Sequence, residues 1–153
     1  MTERAKYPEQ WERVQRWHER FSDISEGKLH DKPSDFYQDE VYAFFMNCYH
    51  LKDWIKHDPT HPSLAGNVES FITDSRDMSL CADIYNGMKH LLLTRPRSHE
   101  DPQFGKRHFE VGVGTQPTTI AVKYTIDTTS GPIDAYELAT RCVEAWKSFL
   151  NQT

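Results

Sequence analysis

The chain has 153 residues, of which 37% are hydrophobic, 27% are charged and 12% are aromatic. These proportions are typical of a folded globular protein, and the length suits one hydrophobic core, so we predict that residues 1–153 form a single domain. The formal net charge is −5. A negatively charged chain does not attract nucleic acid through its overall charge. Any binding of nucleic acid would therefore need a local basic patch.

Neither a membrane segment nor a secretory signal is predicted. No apolar run approaches the length needed to span a bilayer, and the N-terminal segment has no hydrophobic stretch typical of a leader. The three cysteines, Cys48, Cys81 and Cys142, form no C-x-x-C motif, and each falls within a helical apolar stripe. Such a set is typical of reduced thiols packed as small hydrophobes. We therefore expect a cytoplasmic protein with no membrane partner and no cofactor.

Two helices are predicted in the first part of the chain. The first begins near Pro8, because proline is favoured in the first helical turn, and it ends before a polar loop at residues 22–33. The second begins at a cap on Ser34 or Asp35 and continues to about Ile55. Its two adjacent stripes of apolar and aromatic residues predict a central position in a helical bundle.

A loop with two prolines and a glycine is predicted at residues 57–67. Asn67 is then expected to cap one or two helical turns over residues 68–72. The next helix is expected to follow a cap at Asp74 or Ser75 and to continue through Leu93.

The pattern changes to β-structure after a polar loop at residues 94–107. Residues 108–114 and 119–127 alternate in side-chain character, which predicts a β-hairpin that must pack on the helices to be stable. After an exit turn, Asp134 and Glu137 have the spacing of a capping box at the start of a last helix with one apolar face. The expected fold is therefore a mainly helical α+β domain, with four principal helices in a bundle-like arrangement and a β-hairpin before the C-terminal helix.

Polar side chains recur with the same spacing on two of the predicted helices. Each set follows the pattern i, i+3, i+7, which places its members on one side of a helix beside the apolar stripe. We therefore predict that the two helices share a polar site. The sets are His50, Asp53 and His57 on one helix, and Asp83, Asn86 and His90 on the other.

Three interpretations of this site are open. In the first, the polar groups form a buried structural network of a non-enzymatic interaction domain. Gly87 within a helix costs roughly 1 kcal/mol relative to alanine, and close approach of another helix backbone would explain it. In the second, the site belongs to a metal-dependent hydrolase, because a histidine and a carboxylate at i and i+3 can reach one ion. Its ligands would be His50, Asp53, Asp83 and His90.

The third interpretation is acid–base chemistry without a metal. A neutral histidine whose tautomer is fixed by a carboxylate is a competent general base, and a neighbouring amide and ammonium can hold an anion. His90 or His50 would be the base, and Asp53 or Asp83 would orient it. The anion-binding groups would be Asn86 and Lys89.

Two short segments also carry a family resemblance. His50–Trp54 and Asn86–His90 resemble a signature of small bacterial proteins, HLxDW on one helix and NxxKH on another. Tyr85–His90 is similar to the R-N-x-x-x-H element of HEPN domains, with Tyr85 at the arginine position. This resemblance implies a helical bundle of a bacterial defence or toxin–antitoxin system, in a class where many members are metal-independent RNases that act as dimers. It also implies that His90 is the catalytic histidine and that Asn86 takes the polar position.

The leading hypothesis is thus a HEPN-like domain that binds or cleaves RNA. We expect this domain to form a homodimer or to assemble with a partner protein. We predict no metal ligands for it. Its predicted catalytic residues are His90, His50 and Asp53, and its predicted substrate-binding residues are Asn86, Lys89, Asp83 and Tyr85.

Overall fold

The computed structural model describes residues 6–27, 34–89, 97–98, 100, 102–111 and 120–151. Helices and a small antiparallel sheet make up these residues, and the prediction of a mainly helical α+β fold is confirmed. The elements are α1 (Tyr7–Glu26), α2 (Ser34–His57), α3 (Pro62–Asp74), α4 (Arg76–Lys89), β1 (Gln103–Val111), β2 (Ile120–Thr128), β3 (Gly131–Asp134) and α5 (Ala135–Leu150).

Helix α1 begins as predicted and ends later than predicted. Pro8 lies in its first turn, where its missing N–H leaves no helical bond unmade. The helix continues to Glu26 because Ile24 and Ser25 are buried against the core, so the predicted loop is wrong over residues 22–26. Gly27 ends the helix with φ 103°, a backbone conformation that favours glycine. Residues 28–33 of the predicted loop lie outside the described residues.

Helix α2 is the central element of the bundle, as the sequence predicted. It contacts each of the other four helices. Phe44, Cys48, Leu51 and Ile55 recur along it at helical spacing and are fully buried. The central helix therefore fixes the positions of the polar groups that lie beside this stripe.

Helix α3 is longer than predicted. It begins at Pro62, not at residue 68, because Leu64, Val68 and Ile72 form one buried stripe over two turns. Asn67 lies within the helix, where its Nδ2 donates a 2.8 Å bond to the carbonyl of Ser63. The predicted cap at Asn67 is therefore wrong.

Helix α4 begins where a serine cap was predicted. The Ser75 hydroxyl accepts a 3.2 Å bond from the backbone N–H of Met78, which satisfies one of the free donors of the first turn. The described helix ends at Lys89. The predicted continuation through Leu93 falls outside the described residues.

The sheet has three antiparallel strands in the order β1-β2-β3. β1 begins at Gln103 instead of His108, since a register irregularity between Phe104 and Arg107 breaks the alternation that identifies strands. β3 was not predicted, because four residues that include Gly131 and Pro132 carry no alternating pattern. The predicted hairpin turn at residues 115–118 lies outside the described residues.

The C-terminal helix closes the core. The carboxylate of Asp134 accepts a 3.0 Å bond from the N–H of Glu137. Asp134 therefore caps the N-terminus of α5, which is one of the two hydrogen bonds of the predicted capping box. Leu138, Ala139 and Trp146 are fully buried along α5, which confirms its apolar face. In the described part of the chain no helix is long and apolar enough to cross a membrane.

Candidate functional site

His50 on α2 meets Tyr85 on α4, a residue that belongs to neither of the two predicted polar sets. The His50 Nε2 and the Tyr85 hydroxyl share a hydrogen bond of 2.9 Å, and their rings lie 4.9 Å apart at 70°. Tyr49 adds a third ring, 5.1 Å from that of Tyr85. His50 and Tyr85 are half-buried, so each presents part of its ring to solvent. Tyr85, a predicted substrate-binding residue, is therefore the direct partner of His50, a predicted catalytic histidine.

Asp83 lies apart from this pair and has a structural set of contacts. It is 1% exposed. Its two oxygens accept bonds from the backbone N–H groups of Arg97, at 2.7 Å, and Ser98, at 2.8 Å, and the Ser98 hydroxyl adds a further bond. These contacts occupy the carboxylate that was predicted to bind substrate, and they hold the segment after α4 against the helix.

Asp53 and His57 make contacts of their own that do not involve the His50 ring. The Asp53 carboxylate is 55% exposed and lies 3.9 Å from the Lys52 ammonium. The His57 Nδ1 bonds at 2.7 Å with the Asp53 carbonyl of its own helix. Within the described residues neither Asp53 nor Asp83 hydrogen-bonds to His50, so the tyrosine takes the orienting position for which a carboxylate was predicted.

Asn86 and Gly87 occupy the surface of α4 next to Tyr85, and both are half-buried. A β-carbon on Gly87 would meet no atom within 4 Å. The explanation of this glycine by close approach of another helix is therefore wrong for the described part of the chain, and the helix is open at this point. The Lys89 side chain and His90 lie outside the described residues, so their predicted roles stay predictions.

A cluster of cations lies one turn farther along α2. Lys52, Lys56 and Arg97 reach the Glu69 carboxylate on α3 at 3.4, 3.0 and 3.1 Å. Burial acts to raise the pKa of Glu69, but the bond from Lys56 and the charges of Lys52 and Arg97 outweigh it and lower the pKa to about 2. Three cations and two carboxylates, those of Glu69 and Asp53, leave this cluster with one net positive charge on an acidic protein. The sequence did not reveal the cluster, because its members come from three separate segments.

Lys52 joins this cation cluster to the aromatic pair. It is largely buried, its ammonium donates a 2.9 Å bond to the Tyr49 hydroxyl, and it lies 4.5 Å from the Tyr49 ring centre. Burial by itself lowers the pKa of Lys52, yet the contacts with Tyr49 and the carboxylates raise it above the ordinary value. The lysine therefore stays charged. We call the surface formed by His50, Tyr85, Asn86, Lys52, Lys56 and Arg97 the α2/α4 patch.

The predicted metal-ligand set does not converge in the described residues. Of the groups of histidine, cysteine and acidic side chains there, one has ligand atoms mutually close enough to hold an ion, and it consists of Cys48, Cys81 and Cys142. His50, Asp53 and Asp83 form no such group. Among the described residues, the group with ligand atoms close enough to hold an ion therefore lies in the core.

The three cysteines are free and fully buried, which confirms the predicted apolar packing. They come from α2, α4 and α5, and their sulfurs lie within 4.8 Å of one another. The thiols of Cys81 and Cys142 donate to the carbonyls of Phe45, at 3.6 Å, and Asp77, at 3.4 Å. This convergence is not evident from the sequence, because residues 33 and 61 positions apart can meet only through the packing of helices.

These sulfurs also differ from one another. Burial acts to raise the pKa of Cys48, but donation from the Cys142 and Cys81 thiols holds it well below the ordinary value. The same interactions raise the pKa of Cys81. Each donor thiol has a single hydrogen, so its backbone carbonyl and the Cys48 sulfur compete for it.

Comparison with protein-family models, with curated proteins and with solved structures gave no match to this chain. Two places in the structure bear on its function, the α2/α4 patch and the buried cysteine cluster.

Proposed function

We propose that this domain binds single-stranded RNA at the α2/α4 patch and cleaves it without a metal ion, as a HEPN-like module. The observation that carries this proposal is the 2.9 Å hydrogen bond between His50 Nε2 and the Tyr85 hydroxyl. It joins a titratable ring on α2 to the helix that bears the NxxKH element, and both side chains are partly open to solvent.

The composition of the patch suits a single-stranded nucleic acid. Proteins bind such strands by stacking bases on aromatic rings and by placing cations along the phosphates. The rings of His50 and Tyr85 supply the stacking groups, and the accessible cations Lys56 and Arg97 supply the positive charges, while the buried Lys52 links the two through Tyr49. Because the whole chain is acidic, binding would be confined to this surface and would weaken with added salt.

The chemistry of metal-free RNA cleavage needs a base and an acid. The base takes the proton of a ribose 2′-hydroxyl, whose oxygen attacks the adjacent phosphorus, and the acid protonates the 5′-oxygen that leaves. In this proposal His50 takes the base role, with Tyr85 fixing its ring orientation. His90, which the resemblance implies is a catalytic histidine, takes the acid role in this proposal.

The open surface at Gly87 supports the approach of a ligand. A glycine inside a helix lowers stability, and no packing contact within the described residues accounts for it. The absence of a side chain allows a phosphate or a base to lie close to the α4 backbone beside Asn86. The proposal assigns Asn86 and Lys89 to the binding of that group.

The test is a binding and cleavage assay with a labelled single-stranded RNA in the presence of a chelator. Wild type should bind the RNA and cut it, and an oligonucleotide with 2′-deoxyribose should be bound and left intact. His50→Asn should lower the cleavage rate by about 100-fold or more, the usual contribution of a general base. Tyr85→Phe should lower it less, while Tyr136→Phe on α5, away from the patch, should leave it unchanged.

The outcomes that contradict the proposal are distinct. Cleavage that requires an added divalent ion would exclude the metal-free mechanism. If wild type binds neither RNA nor its deoxy analogue, the proposed function is wrong as a whole. If RNA binds and Lys56→Ala does not weaken the binding, the α2/α4 patch is not the binding surface. Sedimentation at several concentrations decides whether the active form is the dimer that the resemblance implies.

A non-enzymatic interaction domain is the second candidate, and the contacts of Asp83 favour it. The two oxygens of that buried carboxylate accept hydrogen bonds from the backbone N–H groups of Arg97 and Ser98. Such contacts are expected of a structural hydrogen-bond network. Under this alternative wild type neither binds nor cleaves RNA, and His50→Asn changes only the stability of the fold.

A further inference from the structure

We infer that Cys48, Cys81 and Cys142 form a binding site for one soft, thiophilic cation held by three sulfur ligands. The site lies in the core between α2, α4 and α5 and does not depend on the proposed action on RNA. The sulfurs are within 4.8 Å of one another, and all three residues are 0% exposed.

The spacing of the sulfurs suits a single central cation. Three sulfurs bound to one ion at about 2.3 Å lie roughly 4 Å apart. The sulfurs of the described structure lie within 4.8 Å of one another. A small rotation of the side chains about their Cα–Cβ bonds would bring the sulfurs to the separation that a bound ion requires. Since the three residues come from three different helices, a bound cation would cross-link α2, α4 and α5 and stabilise the bundle.

The ligand set selects the kind of cation. Sulfur ligands favour soft ions over magnesium, calcium or manganese. No histidine, cysteine or acidic residue of the described chain joins the group as a fourth ligand, whereas structural zinc sites are almost always four-coordinate. The site therefore fits cations that accept three sulfurs, of which trivalent arsenic and monovalent copper are the accessible examples.

Charge favours the trivalent member of this class. A buried site is costly unless its charges nearly cancel, and three thiolates are neutralised by a trivalent cation. Arsenous acid forms three As–S bonds with three thiols, whose protons leave with the three hydroxyl groups as water. Copper(I) releases one proton for each thiolate it binds, and its site is neutral only when two sulfurs keep their protons.

The experiment loads the reduced full chain anaerobically with arsenite or with copper(I), over hours because the sulfurs are buried. We expect one cation per chain by mass spectrometry of the native protein, loss of all three titratable thiols with arsenite, and a higher melting temperature. Trp146 adds a fluorescence readout, because its indole bonds to the Cys48 carbonyl. Zinc should bind at least 100-fold more weakly than the tighter of the two soft cations.

The variants separate loss of a ligand from loss of stability. Cys142→Ala and Cys142→Ser should each lower the affinity by 100-fold or more while keeping the helical circular dichroism of wild type. Ser79→Ala is the matched control, because Ser79 is buried on α4 and donates a 2.7 Å bond to the Ile72 carbonyl. This change should destabilise the core near Cys81 and leave the affinity within a few-fold of wild type.

Binding of either soft cation at one per chain, with all three sulfurs required, supports the site. The inference is overturned if neither cation binds, if zinc alone binds tightly, or if Cys142→Ala binds as well as wild type. Equal loss of affinity in Ser79→Ala and Cys142→Ala would overturn it too, since the effect would then follow from stability and not from the sulfur.

Discussion

The indole Nε1 of Trp146 donates a hydrogen bond of 3.0 Å to the carbonyl of Cys48, in the middle of the central helix. Trp146 is fully buried and also packs on Phe71 of α3, with ring centres 5.0 Å apart. One side chain of the C-terminal helix thus touches two other helices, and its hydrogen bond fixes how α5 lies across α2.

The first prediction concerns this contact. Trp146→Phe should lower the free energy of unfolding by about 1–3 kcal/mol, because it removes a buried hydrogen bond and leaves a cavity. In a chain of this size that corresponds to a fall in melting temperature of about 2–4 °C per kcal/mol. Trp17→Phe is the control, since Trp17 is half-buried and has Arg20 over its ring at 4.6 Å. Equal effects of the two changes would show that the bond to Cys48 adds nothing.

The pair at the α2/α4 patch should be energetically coupled. Single changes, His50→Asn and Tyr85→Phe, and the double change form a cycle whose coupling energy should be about 0.5–1.5 kcal/mol, the usual net value of one hydrogen bond. Urea unfolding of the four proteins measures it. Strict additivity of the two changes would mean that the 2.9 Å contact contributes nothing to stability, and the orienting role of Tyr85 would then be untenable.

Asp83 should contribute to stability through the segment it holds. Asp83→Ala leaves two backbone N–H groups, those of Arg97 and Ser98, without their acceptor. Arg97 and Ser98 are half-buried, so water can replace part of the lost bonding, and we expect a loss of about 1–3 kcal/mol in urea unfolding. Asp83→Asn keeps one acceptor oxygen and should cost less than Asp83→Ala. A chain that tolerates alanine here without loss would contradict the anchoring role.

The protein should lose stability in acid between pH 4.5 and about 2. Hydrogen bonds from Arg76 lower the pKa of Glu100 from 4.5 to about 2. The two bonds are 2.9 Å long, and Ser130 adds a third at 2.8 Å. A carboxyl whose folded pKa lies below its unfolded value stabilises the fold above the unfolded pKa, and that stabilisation disappears as the pH falls through the folded pKa.

Thermal unfolding as a function of pH measures this effect. Glu100→Gln should lower stability by about 1–3 kcal/mol at pH 7, since bonds between charged groups are the stronger kind, and should flatten the profile between pH 4.5 and about 2. Glu12→Gln, at an exposed position on α1, should keep the wild-type profile. A Glu100→Gln profile as steep as that of wild type would assign the acid sensitivity to other carboxyls, with Glu69 first among them because its pKa is also about 2.

Gly87→Ala should raise stability and lower RNA affinity. Alanine in a helix interior is favoured over glycine by about 1 kcal/mol, and its β-carbon would meet no atom within 4 Å in the described chain. If a ligand lies against the α4 backbone, the added methyl group should weaken RNA binding severalfold. Gly66→Ala on α3 is the control, because its β-carbon position is equally open and lies outside the α2/α4 patch. A gain in stability with unchanged binding would leave Gly87 without a functional reason.

Local patterns were sufficient to predict most helices. Proline in the first turn located α1, the Asp134 cap located α5, and spacing alone identified the buried face of α2. The errors occurred where two local rules compete. Residues 57–67 contain turn formers, yet burial of Leu64 extends α3 back to Pro62, and the irregularity after Phe104 hid the start of β1.

The polar site was predicted in part. Helical spacing placed His50 toward a neighbouring helix, and the structure supplies that neighbour as Tyr85. Spacing could not separate Asp83 from the members of the patch, because residues on the same side of a helix can still meet different surroundings. Contact with residues 97–98 decides the role of Asp83, and no periodicity encodes such a contact.

The sequence by itself determined the class of fold, the central position of α2 and the burial of each cysteine, since these depend on the periodicity of apolar residues within single helices. Only the tertiary structure decided that Cys48, Cys81 and Cys142 meet, and that Lys52, Lys56 and Arg97 surround one carboxylate. The physical reason is that a helix pattern fixes which face a residue occupies, whereas the distance between residues on different helices depends on how those helices pack.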